Sequence, residues 1–110
     1  MFAGEQFMSM HSRLIRQNYV WLTEKLDPDF GLLSTLYADE VLSQREYDQL
    51  VHEKDRFVKN DILLSIISRK SVEDFTKFKI ALNATLQEHI AKRLTETPVG
   101  RWLNQSFLSS

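Results

Sequence analysis

The chain has 110 residues, 43% hydrophobic and 11% aromatic, enough apolar material for one ordinary core and one domain. A formal net charge of −1 excludes an overall basic field for a nucleic-acid backbone, and the absence of cysteine excludes disulfides, thiolate zinc sites and cysteine nucleophiles. Three glycines and two prolines are too few for a chain of many short strands, so helices joined by brief loops are expected.

In chain order, Leu14, Ile15, Trp21, Leu22 and Leu26 recur at helical spacing. They predict a first helix of about four turns, bent or frayed near Gln17-Asn18. Asp27-Pro28 offers an acidic cap with proline at the first helical position, where no amide is needed. It opens a short second helix striped by Phe30, Leu33, Leu36 and Tyr37. Ser43-Gln44-Arg45-Glu46 reads as a capping box, in which hydroxyl and acid each serve an orphan amide. The third helix follows it with Tyr47, Leu50 and Val51. Phe57, Val58, Ile62, Leu63, Ile66 and Ile67 mark the fourth and most buried helix. Ser71-Val72-Glu73-Asp74 caps a fifth, striped by Phe75, Phe78 and Leu82. Thr85-Leu86-Gln87-Glu88 reads as a third box, opening a sixth helix with Leu86, Ile90 and Leu94.

The branched run 62–67 is the one segment with a strand rival, but its flanks carry no turn chemistry and continue the 3.6-residue period. At six residues it is far short of a membrane span, and the first residues lack the basic start and apolar core of a signal peptide. A cytoplasmic protein is expected. The expected organisation is an extension over 1–11, a six-helix domain over 12–96 and a tail over 97–110. In the tail, Thr97-Pro98 is positioned to start one more turn carrying Trp102, Leu103 and Phe107. The apolar ends (Phe2, Phe7, Met8 and Met10, then Trp102 and Phe107) either fold back onto the bundle or contact a neighbour.

Catalysis finds little footing. His11, His52 and His89 share no metal-ligand spacing, and no phosphate loop or serine elbow is present. Each histidine is expected to be structural or solvated. The paired carboxylates Asp39-Glu40 and Glu73-Asp74 fall at helix ends, where acids serve as caps and dipole partners. No catalytic residue, metal site or cofactor is expected.

The charges, in contrast, are sorted. From 27 to 48, six acids (Asp27, Asp29, Asp39, Glu40, Glu46, Asp48) face one base, Arg45. From 54 to 70, five bases (Lys54, Arg56, Lys59, Arg69, Lys70) face two acids, Asp55 and Asp61. The first helix adds Arg13, Arg16 and Lys25 against Glu24. Packing the fourth helix beside the first would gather the bases on one face and leave the acids on another. Such a bipolar module binds head to tail, a heterologous contact that does not close on two copies and propagates into a helical assembly.

At this point the pattern resembles the caspase recruitment domain, a six-helix antiparallel bundle of the death-fold (Greek-key) type. The resemblance covers roughly 12–96. Val41-Leu42-Ser43-Gln44-Arg45-Glu46-Tyr47 is similar to the family's opening of helix three. The stretch Ile62-Leu63-Leu64-Ser65-Ile66-Ile67-Ser68-Arg69-Lys70 resembles the core and basic end of helix four. Phe75, Phe78 and Ala81-Leu82, followed by His89-Ile90-Ala91 and Leu94, look like helices five and six. Two departures touch loops: Ser71 stands where glycine usually follows helix four, and Ala84-Thr85 where a glycine often ends helix five. The last helix lacks the arginine-any-aspartate-leucine-leucine stretch of a death effector domain.

The resemblance implies docking onto another domain of the same kind, in a caspase, a nucleotide-binding sensor or an adaptor, or onto a second copy of the chain. Apoptotic or inflammatory signalling is the implied setting, with neither nucleic acid nor membrane as partner. Arg13, Arg16, Arg56 and Lys59 are the expected basic patch, and Asp39, Glu40, Glu46 and Asp48 the acidic one. The alternative is a helical regulatory or adaptor subunit that binds an unrelated protein through its apolar termini.

Overall fold

A computed structural model of the chain describes residues 9–96. The expectations for the extension before Ser9 and for the tail with Trp102, Leu103 and Phe107 lie outside the described residues. Within them the architecture is all-helical, and no strand occurs. Seven helices follow in order: α1 Met10–Gln17, α2 Tyr19–Lys25, α3 Leu32–Ala38, α4 Gln44–His52, α5 Arg56–Ser68, α6 Val72–Ala84 and α7 Glu88–Glu96.

The expected first helix is two. Asn18 leaves helical geometry (φ −108°, ψ 15°) and is buried. Its Nδ2 donates to the Leu14 carbonyl at 2.9 Å, and its Oδ1 accepts from Arg93 Nε at 3.0 Å. A side chain that bonds to its own preceding turn competes with the helical ladder and bends it. Arg93 also stacks its guanidinium over Trp21, 4.3 Å from the ring centroid, so α7 braces the bend.

The second helix starts later than Asp27-Pro28 predicts. Asp27 Oδ1 instead accepts the Asp29 amide at 3.0 Å, a local turn that holds the chain out of helix. Gly31, at φ 92°, makes the entry to α3. Phe30 is therefore 77% exposed rather than part of the stripe, and Leu32, Leu33 and Leu36 form the buried face. Tyr37 is also exposed, stacked on half-buried Tyr47 with ring centroids 4.5 Å apart.

The Ser43 box forms in full: Ser43 Oγ accepts the Glu46 amide at 3.1 Å and Glu46 Oε1 accepts the Ser43 amide at 2.9 Å. Leu50 is buried while Val51 faces out. Asp55, unassigned in the sequence reading, caps α5 by accepting from the Phe57 and Val58 amides. Phe57 and Val58 lie in that exposed first turn, so the core stripe of α5 is Asn60, Leu63, Leu64 and Ile67. Ser71 accepts the Asp74 amide at 3.1 Å and caps α6, which explains a serine at that junction.

The third box does not form. Thr85 closes α6 instead of opening α7, and its hydroxyl donates back to the Ala81 carbonyl at 2.9 Å. Leu86 turns the chain with φ 65° and is 83% exposed, so it leaves the predicted stripe. The turn that glycine makes cheaply is made here by a leucine, at a local cost of about 1–2 kcal/mol. Gln87, buried, then fastens the turn. Its Oε1 accepts the Asp27 amide at 2.8 Å, and its Nε2 donates to the Asp27 carbonyl at 2.8 Å.

The core sits where α5 packs against α1, α2, α4 and α6, and α6 in turn against α3 and α7. Ile15, Leu22, Leu26, Leu36, Leu50, Leu63, Leu64, Ile67, Phe78, Leu82 and Ile90 fill it. Burying each such side chain contributes about 1.5–3 kcal/mol.

Candidate docking surface

The sorted charges fall on different helices, although acidic α4 packs against basic α5. The basic stretches are α1, α2 and α5, which pack together; the acidic stretch runs from the α2–α3 connection through α3 and α4, and α3 packs on α4 and α6. The boundary is stitched, however. Lys59 Nζ meets Asp29 Oδ1 at 2.7 Å, and Lys70 Nζ meets Glu46 Oε1 at 2.9 Å. Both ion pairs cross from the basic stretch to the acidic one, so part of the charge is consumed inside the monomer.

Lys59 is therefore a correction. It is 7% exposed, its stem lies against the protein and its ammonium is held by Asp29. It is not an accessible member of a patch. Arg13 is half-buried and Arg16 exposed, both on α1. Arg56 is exposed but occupied: one Nη1 donates to the carbonyls of Glu24 at 2.9 Å and Leu26 at 3.0 Å. Its guanidinium also lies 4.9 Å from the Phe57 ring centroid. Arg56 thus caps the carboxyl end of α2, where a cation also complements the helix dipole.

On the acidic side, Asp39, Glu40 and Asp48 are exposed. Asp48 accepts from Gln44 Nε2 at 3.0 Å on the same helix. Glu46 is half-buried. Burial alone would push its carboxyl up, but the Ser43 amide and the Lys70 ammonium together hold it below its ordinary value. Asp39 and Glu40 follow the carboxyl end of α3, where the helix dipole opposes carboxylates, and Glu40 adopts φ 63°. They are not favourable dipole partners. Glu73 and Asp74 are, in the first turn of α6.

Asn60 escaped the sequence reading. It is fully buried in α5 and donates through Nδ2 to the Thr23 carbonyl at 3.0 Å and the Leu26 carbonyl at 2.8 Å. The signal for it existed: positions 60, 63, 64 and 67 share one helical face. Tyr19 donates its hydroxyl to Asp61, and burial followed by that bond pushes the phenol up to about 12. His11 is buried, stacked on Phe75 with ring centroids 5.0 Å apart, and donates from Nε2 to the Lys70 carbonyl at 2.8 Å. His52 and His89 are exposed, and His89 meets the edge of Trp21.

Among the described residues no cluster of three or more histidines, cysteines or acids is placed to hold a metal ion. No helix there is long and apolar enough to cross a membrane. A scan of protein-family models finds none that matches the chain, and no curated protein matches it either.

Proposed function

We propose that the chain is a non-catalytic docking module. It binds a helical domain of its own kind through opposite charges, in the manner of a caspase recruitment domain. One observation carries the reading. Asp39 and Glu40 are exposed at the end of α3 that disfavours acids, so folding alone does not account for them. In this reading Asp39, Glu40 and Asp48 are the acidic contact, and Arg13, Arg16 and Arg56 are its complement. The contact is head to tail, and charge steers encounter and fixes orientation.

Arg56→Glu is a poor probe, because it also removes the cap on α2. The test uses Arg13→Glu with Arg16→Glu in one protein, and Asp39→Lys with Glu40→Lys in another. Sedimentation velocity at low salt is expected to show self-association of the parent and weak or absent association of each variant alone. A mixture of the two variants restores a one-to-one complex. Unchanged association of both variants refutes the reading.

A further inference from the structure

A groove of about 460 Å³ lies between α6 and α7. It runs from Asn83 and Glu88, beside the connecting turn, to Thr76 and Glu96 at the far ends of the two helices. Ile80 lines it midway and is 57% exposed. A second cavity of about 670 Å³ adjoins the groove, since His89 lines both, and it carries the exposed Phe30 and Leu86. Single exposed apolar residues are ordinary, but a line of them over joined cavities marks a contact. Leu86 adds weight, because folding alone does not account for a leucine at φ 65° that gains no burial. The charges along this track balance: Lys79 and Lys92 stand against Glu88 and Glu96, and Lys25 against Asp27. The occupant it suits is therefore apolar rather than charged.

The chain supplies one at the mouth of the groove. α7 ends at Glu96, which lines the groove, and residues 97–110 continue from there. Thr97-Pro98-Val99-Gly100 has proline second and glycine fourth, the pattern of a type I reversal. Two apolar pairs follow it, Trp102-Leu103 and Phe107-Leu108.

We propose that this groove receives the chain's own residues 101–108 as an extended segment, with Trp102 on Ile80 and Phe107 at Leu86 and Phe30. Thr97-Pro98 then opens a reversal rather than a further helical turn. The lengths agree. α7 has 9 residues, so the groove is about 13 Å long. Trp102 stands two residues past Gly100, about 7 Å when extended, which is the level of Ile80. Phe107 stands five residues further, about 17 Å, which carries it past the start of α7 to the second cavity. A tethered segment acts at an effective concentration on the order of millimolar, so a partner's apolar segment competes poorly for the same track.

The test uses the full chain with Trp21→Phe, which leaves Trp102 as the sole tryptophan. Trp102 is expected to resist acrylamide quenching relative to a free tryptophan amide, independently of protein concentration over about a hundredfold range. Ile80→Glu is expected to abolish that protection with helical circular dichroism unchanged, because Ile80 is already more than half exposed. Val20→Glu, at an exposed site on α2, is expected to leave it intact. Trp21 packs under Arg93, so a second measurement retains it. In the ¹⁵N-labelled parent chain, Trp102→Ala is expected to shift the amides of 76–83 and 88–96, and Phe107→Ala those of 30 and 84–87. Trp102 quenched like the free amide, protection that survives Ile80→Glu, or amides there that stay in place overturns the proposal. Protection that grows with concentration assigns the groove to a second copy's tail and overturns it equally. Charge-driven association is read from the α1 and α3 variants, so either idea can fail alone.

Discussion

Asn60→Ala isolates the joint between α2 and α5. The side chain is fully buried and its Nδ2 serves two carbonyls, those of Thr23 and Leu26. Each net bond contributes about 1 kcal/mol. Leu26 keeps Arg56 as a second donor at 3.0 Å, whereas the Thr23 carbonyl loses its side-chain partner and adds about 1 kcal/mol of cost. Against this, Asn60 Oδ1 is buried with no hydrogen-bond partner, and deleting it returns roughly 1 kcal/mol. The expected loss is about 2 kcal/mol, a large part of a stability of about 5–15 kcal/mol. Urea unfolding followed by helical circular dichroism is the assay. With a slope of about 1.3 kcal/mol per molar, the midpoint is expected to fall by about 1.5 M. The exposed Gln49→Ala on α4 is the control, expected within about 0.5 kcal/mol of the parent. A midpoint for Asn60→Ala that coincides with the control refutes the argument that α5 caps α2 through this side chain.

Two further predictions follow from the turn chemistry and the ion pairs. Glu46 is held below its ordinary value of 4.5, so its contribution to stability is complete above that pH and disappears as the pH falls through the lowered value. Lys70→Met is expected to flatten this part of the acid profile, as measured by thermal unfolding between about pH 5 and pH 2. Leu86→Asn keeps the positive φ with a residue that tolerates it and gives up little burial, since Leu86 is 83% exposed. It is expected to raise stability by about 0.5–1 kcal/mol, read as a higher melting temperature; a lower one refutes the strain argument.

Much of the fold was legible because apolar spacing and hydroxyl-acid caps are local signals. The Ser43 box read correctly for that reason, as did the bend at Asn18 and the helical choice at 62–67; at Ser71 it is the hydroxyl half of the expected box that caps the helix. The errors arose where a side chain had two local uses. Thr85 matches an N-cap by sequence, yet its hydroxyl bonds backwards to Ala81 and ends a helix. Asp27 resembles a cap before proline, yet it builds a turn with Asp29. At Asp27 the turn is fastened by a distant residue, Gln87, which no window around position 27 contains.

The candidate site was less legible than the fold. Charge sorting is visible along the chain, but whether a lysine is accessible depends on what lies across from it. Lys59 meets Asp29 and Lys70 meets Glu46 across 30 and 24 residues of chain. Arg56 looked like a surface cation and is equally a helix cap. Sequence counts charges, while only packing says which of them are already engaged.

The Gln87 side chain grips Asp27 as a neighbouring strand would, giving and taking one bond with the same residue. A loop that no sheet borders thereby has both polar groups of one residue answered by a single amide. Glutamate at 87 has no proton to give in its ionised form, and asparagine falls one carbon short. The position is therefore chemically narrow although it carries no charge, and its loss would unfasten two connections, sixty residues apart, together.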